Sequence, residues 1–236
     1  CWADLSRATQ SRGPGDTGRY DGKGRAAMRT EMRTQLTAHW PEYVMEAGGL
    51  GLFMLSACGW GTFLEYPGSP LRSAIPDPNL RRLLMGLLMG LTAVGLIYSP
   101  WGRRSGAHLN PSVTLAFLRL GKVAGWDAAF YILAQFAGGA LGVAIAATFL
   151  GRPLADPAVD YVATVPGPQG PTVAFLAETA ISFGLMLTVL GVSNMARWAR
   201  FTGLFAGTLV TVFISLEAPL SGMSMNPARS LGSAVP

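Results

Sequence analysis

From residue 39 onward the chain alternates long apolar runs with short polar punctuation. Residues 43–64 hold Glu46 as their only charge, residues 83–102 and 128–151 hold none, residues 172–196 hold only Glu178, and residues 201–216 hold none. About 20 helical residues cross a hydrocarbon core about 30 Å thick, so this pattern predicts five membrane-spanning helices, the last of them short. The strands of a closed barrel would be about half as long and would alternate in polarity, which these runs do not. Inside the runs, small residues recur at four-residue spacing: Gly86 and Gly90, Ala134 with Gly138 and Gly142, Gly203 and Gly207. That spacing lets helix backbones approach closely in lipid.

Residues 1–38 read differently. They are rich in Gly, Arg and Ser, lack an apolar face and begin with Cys, so a disordered tail is expected here, non-native up to a true start at Met28 or Met32. The string Gly13-Pro14-Gly15-Asp16-Thr17-Gly18 has dinucleotide-binding spacing, but no strand precedes it and no helix is expected after it, which removes the phosphate-binding reading. The membrane domain is expected to occupy residues 39–236.

Half the residues are hydrophobic and 13% are charged, too apolar for an ordinary soluble domain. The net charge of +5 does not point to nucleic acid, because the basic residues lie on helix flanks instead of forming a patch with stacking aromatics. With the N-terminus in the cytoplasm, Arg25, Arg29, Arg33, Arg103, Arg104, Arg119, Lys122, Arg197 and Arg200 fall inside and Arg72, Arg81, Arg82 and Arg152 outside. That bias follows the positive-inside tendency. Cys1 and Cys58 give neither a disulfide framework nor metal-ligand spacing.

Two octapeptides break the apolar pattern, Ser105-Gly106-Ala107-His108-Leu109-Asn110-Pro111-Ser112 and Ser221-Gly222-Met223-Ser224-Met225-Asn226-Pro227-Ala228. Each leads through Gly and small residues into Asn and then Pro, the residue whose fixed φ and missing N–H suit a first helical position. Both therefore read as helix N-termini. Each Asn can cap free backbone donors while turning its amide toward whatever lies in front of the helix. One unit, two spans and a half-helix followed by a third span, crosses an odd number of times. The second copy is then inverted, and the half-helices enter from opposite faces. Glu46 and Glu178 lie at matching places ahead of the two boxes. An unpartnered carboxylate inside a span is costly, so each needs a partner. Two uses compete: a proton-relay acid of a transporter, or a brace holding irregular backbone at membrane depth.

The paired boxes, Asn110-Pro111-Ser112 and Asn226-Pro227-Ala228 with Arg229 directly after the second, resemble the signature of the aquaporin or major intrinsic protein family, bacterial in type, from about Glu42 to Pro236. The resemblance implies an all-α, polytopic inverted-repeat fold with two half-helices, in a multi-pass protein of the cell membrane. It implies homotetramers with one pore per subunit, no cofactor, and buried glutamates that bind backbone N–H groups of the box loops. It also implies a sixth span, so the chain is expected to be a C-terminally truncated piece of a longer protein. Counting from the boxes carries the family's selectivity filter onto Gly90, Ile214, Met223 and Arg229, with a neighbour such as Met89 taking the first place where a loop insertion shifts the count. Gly90 and Ile214 stand where strict water channels have an aromatic and a His, which implies a wider, less polar opening; Ser230 stands where glycerol channels carry Asp. The expected function is passive conduction of water or a small uncharged solute such as glycerol, urea or a metalloid hydroxide, with ions and protons turned back by Arg229 and the two positive helix ends. The rival readings are an inverted-repeat secondary transporter and a non-conducting interaction protein of the same fold. No nucleophile elbow, ligand cluster or carboxylate pair points to an enzyme. Ser112 is a small-for-small change in the first box, and His108 is expected to hydrogen-bond the loop backbone instead of holding a metal.

Overall fold

The computed structural model describes residues 22–234, and all regular elements among them are helical. Cys1 and the Gly13–Gly18 string lie outside the described residues. The first helix, α1, runs from Gly22 to Glu65, about 66 Å at 1.5 Å per residue. Residues 22–38 of the expected tail are helical; the rest of it lies outside the described residues. Met28, Met32 and Leu36 recur every four residues and give that segment an apolar stripe, which the dense Arg and Gly residues around it obscure in the sequence. Pro41 lies inside α1.

Helix α2 (Pro70–Ala74) begins at Ser69, whose side chain accepts the Leu71 N–H. Helix α3 (Pro78–Tyr98) starts with Asp77 capping Asn79 N–H. An ion pair between Arg81 and Glu65 at 3.1 Å ties its start to the end of α1. Residues 83–102 read as one span, yet α3 ends at Tyr98. Pro100 disfavours helical backbone at Ser99, and the Ser99 hydroxyl instead caps the short α4 (Pro100–Ser105). The first half-helix is α5 (Pro111–Arg119). Then come α6 (Gly125–Leu150), α7 (Arg152–Ala155), α8 (Pro171–Ser193) and α9 (Thr202–Leu216). The short α10 (Ala218–Ser221) leads to the second half-helix, α11 (Pro227–Ala234). Five helices, α1, α3, α6, α8 and the helix ending at Leu216, are long and apolar enough to cross a membrane.

Two closely packed pairs, α1 with α6 and α3 with α9, form the frame; both half-helices lie against α6. The close approach rests on small residues at the predicted spacing. A Cβ on Gly138 would collide with the Ala47 carbonyl and one on Gly142 with the Gly51 carbonyl, while a Cβ on Gly90 would lie 2.6 Å from the Gly207 carbonyl oxygen. Polarity runs opposite to that of a soluble protein. Phe149 is 82% exposed and Phe175 70%, whereas Glu46, Thr114 and Gln135 are fully buried. An apolar exterior around a polar interior is the arrangement lipid demands.

Candidate functional site

The two boxes fold alike. In each, a left-handed Gly (Gly106, Gly222) is followed by left-handed residues at alternate positions, Ala107 and Leu109 in the first and Met223 and Met225 in the second. Such backbone costs a side-chain-bearing residue about 1–2 kcal/mol and persists where its surroundings over-determine it. Glu46, fully buried, and Glu178, half-buried, provide that constraint. Glu46 Oε1 accepts from Ser105 Oγ (2.8 Å) and His108 N (3.0 Å), and its Oε2 accepts from Leu109 N (2.6 Å) and Gln135 Nε2 (2.8 Å). Glu178 Oε1 accepts from Ser221 Oγ (2.7 Å) and Ser224 N (2.6 Å), and its Oε2 from Met225 N (2.7 Å). The serine that opens each octapeptide also accepts a loop N–H, Ala107 to Ser105 at 3.1 Å and Met223 to Ser221 at 3.0 Å.

These constraints bring the half-helices together at their N-termini. Asn110 Oδ1 accepts Ser112 N–H at 2.8 Å and Asn226 Oδ1 accepts Ala228 N–H at 3.1 Å, so each asparagine caps its own helix. Asn110 Nδ2 donates to the Met225 carbonyl (2.6 Å) and Asn226 Nδ2 donates to the Leu109 carbonyl (2.7 Å), so each also crosses to the other box. An amide carries two N–H groups, which leaves each asparagine one more donor at the cavity that both line.

That cavity, about 1350 Å³, runs from Gln35, His39 and Lys122 at one end to Ile214, Met223 and Arg229 at the other. Residues 106–110 and 223–226 form one side, and apolar side chains of the spans, among them Phe53, Met89, Leu185 and Val210, form the other. The enclosure is amphipathic along its length. At the end near Lys122, His39 Nδ1 meets Asp127 Oδ1 at 2.9 Å, Tyr43 OH donates to the same oxygen at 2.6 Å, and Arg104 pairs with Glu42 at 2.8 Å.

Of the four filter positions carried over from the family, Ile214, Met223 and Arg229 lie on this wall. Gly90 does not. It faces α9, against Gly207 and Thr211, and its neighbour Met89, 1% exposed, takes the cavity wall. Neighbouring residues point about 100° apart around a helix, which places Met89 on the cavity and Gly90 on the helix contact. Pro111 and Ala228 are buried, Pro227 is exposed, and Ser112 borders a smaller hollow shared with Glu178, Ser182 and Ser230. The His108 imidazole meets the Thr114 hydroxyl at 3.1 Å and stacks on Phe117, while its backbone N–H reaches Glu46. Among the described residues no group of His, Cys, Asp and Glu is arranged to hold a metal.

Three contributors escaped sequence reasoning. Gln135 links Glu46 to Thr114 Oγ1, and its signal was a lone amide in an uncharged span. Tyr131 OH donates to the Ser105 carbonyl at 2.6 Å. Thr164, in the loop between α7 and α8, accepts from Arg229 Nη1 and from Ser230 Oγ; nothing in that loop's sequence marks it.

The profile of the family described as Major intrinsic protein matches residues 33–236. The chain is 33% identical over 191 residues to a probable aquaporin, NIP7-1, of Arabidopsis thaliana, covering 80% of this chain and 64% of that protein. It is 32% identical over 192 residues to the glycerol uptake facilitator protein-like 6 of Lactiplantibacillus plantarum, covering 79% and 80%. The X-ray structure of the aquaglyceroporin from Plasmodium falciparum superposes with a TM-score of 0.66 at 20% identity, over 83% of this chain and 80% of that one, a likeness of fold. The chain belongs to the major intrinsic protein family. It spans 49% to 64% of the length of three of the curated aquaporins it matches.

Proposed function

We propose that the protein is a passive transmembrane channel for water and small uncharged solutes of glycerol size, with residues 39–236 as the channel domain. The observation that carries this reading is the crossed pair of asparagine bonds, Asn110 to Met225 and Asn226 to Leu109, which sets two helix N-termini tip to tip on the cavity wall. Each end carries roughly half a positive charge. Two facing one another repel cations, while a neutral oxygen finds two spare amide donors. Met89, Ile214 and Met223 with Arg229 form the proposed filter, apolar on three sides, with Thr164 positioning the guanidinium. An amphipathic lining of this kind suits a solute with hydroxyls along one edge of a carbon chain, in keeping with the name of the Lactiplantibacillus relative.

Two features oppose the transporter reading. Glu46 accepts four hydrogen bonds and Glu178 three, all within the box loops and their supports. Carboxylates so engaged act as Asn- and loop-positioning braces. A cytoplasmic N-terminus, a place in the cell membrane and a homotetramer complete the proposal; the first is supported by the basic residues flanking α1, the α3–α5 loop and the α8–α9 loop.

The test is stopped-flow osmotic shrinkage of proteoliposomes with a panel of water, glycerol, urea and a larger polyol, alongside a proton-leak measurement. Faster water and glycerol equilibration without proton current is expected. Rates equal to those of empty vesicles, or a proton current, would overturn the reading.

A further inference from the structure

We propose that residues 23–38 are a hinged anionic-lipid-binding arm. The segment belongs to α1, yet it carries features the spanning part lacks. Arg25, Arg29 and Arg33 follow one another at four-residue steps, as do Met28, Met32 and Leu36. The two stripes lie about 60° apart around the helix. Met28 is 46% exposed and Leu36 41%. None of the three arginines forms an ion pair or a side-chain hydrogen bond among the described residues. Glu31 is the single acid on the segment before Glu42. An apolar stripe flanked by basic side chains is the pattern of a helix lying in a headgroup layer, with methionines and leucine turned toward the acyl chains and guanidinium groups on phosphate.

Geometry names the occupant. Trp40, 58% exposed beside the apolar span, marks the level of the interface. Arg25 precedes it by fifteen residues, about 22 Å along a straight helix and well beyond a Debye length of about 8 Å at physiological ionic strength. Upright, the stripe projects into water and binds nothing. Laid down, all three arginines reach phosphate at once. The bend has a ready site at Pro41, which has no N–H to bond the Thr37 carbonyl, so the ladder is already one bond short there; laying the arm down also releases the Gln35 carbonyl from Tyr43 OH and His39 from Asp127. Arg103, Arg104, Arg119 and Lys122 lie on the same face of the protein, in and beside the α3–α6 connection, so the arm would descend onto a surface where anionic lipid is already concentrated.

Each basic side chain brought to an anionic surface favours the bound arm about fivefold, so three favour it about a hundredfold. The test is spin labelling of the full chain in vesicles, in a Cys1→Ser, Cys58→Ala background, with labels at Met32→Cys on the apolar stripe and Thr34→Cys opposite. In phosphatidylglycerol-rich vesicles the label at 32 is expected to become accessible to oxygen and shielded from a water-soluble relaxant, while the label at 34 stays wet. Pure phosphatidylcholine, or salt raised from about 0.1 M to about 1 M, should abolish the difference. Arg25, Arg29 and Arg33 changed together to Gln should abolish it too, and the same three changed to Lys should restore it. Equal exposure at 32 and 34 in both lipids would overturn the proposal, as would spin–spin coupling between protomers in both lipids, which would assign the stripe to a second copy of this chain. The readout is position, not flux, so it fails independently of conduction.

Discussion

Replacing Glu46 with Gln removes one charge and no volume, which isolates what the carboxylate does. The side chain is fully buried and holds two donors on each oxygen. A glutamine retains one acceptor oxygen. If that oxygen keeps Ser105 and His108, the new amide nitrogen faces Leu109 N and Gln135 Nε2, donor against donor. Two charge-assisted bonds of roughly 1.5–3 kcal/mol each are lost, partly offset because a loop freed in lipid finds other partners. A net loss of about 2–4 kcal/mol follows, on a loop that already holds Ala107 and Leu109 in left-handed backbone. Because the Leu109 carbonyl is the acceptor for Asn226, the damage should pass to the second box. Thermal unfolding in detergent and stopped-flow water permeability of the same preparation measure both effects. A lowered midpoint together with slowed water flow is expected. Glu178→Gln should be milder, since its Oε2 holds a single donor, Met225 N. A Glu46→Gln protein with unchanged midpoint and flux would refute the brace.

Met89→Phe should cut glycerol flux more than water flux by narrowing the proposed filter, whereas Gly90→Ala should lower stability by about 1–3 kcal/mol through overpacking and leave the solute ratio alone; a solute panel and a melting curve separate the two. Arg229→Ala should admit larger solutes and weaken cation rejection, read as a rise in polyol flux and a measurable proton leak. Gly138→Val should prevent α1 and α6 from meeting, because a Cβ there already collides with the Ala47 carbonyl; loss of monodisperse protein on size-exclusion chromatography is the expected sign.

Much of the fold was legible because lipid is a severe solvent. Span length, absence of charge and four-residue glycine spacing are each imposed locally, and each was readable before any contact was known. The boxes were legible for a related reason, since Asn-Pro at a helix start follows from backbone chemistry alone. Side-chain direction was less accessible. Gly90 and Met89 differ by one place in the chain and by about 100° in space, so a count from the boxes leaves both open, and only the packing of α3 against α9 turns Met89 to the cavity. Residues 22–38 show the opposite failure: a stripe of Met28, Met32 and Leu36 was present in the sequence and hidden by the arginines interleaved with it.

The amino-acid order alone determined that the chain lives in a membrane, that it contains two inverted copies of one polar turn, and that two acids inside apolar spans need partners. Only the tertiary structure decided who those partners are. Glu46 is separated from Leu109 and Gln135 by 63 and 89 residues, and Asn110 from Met225 by 115. Propensity and periodicity act over a few turns of chain, whereas these bonds join α1, α6 and both half-helices across tens of residues and exist only in the docked arrangement.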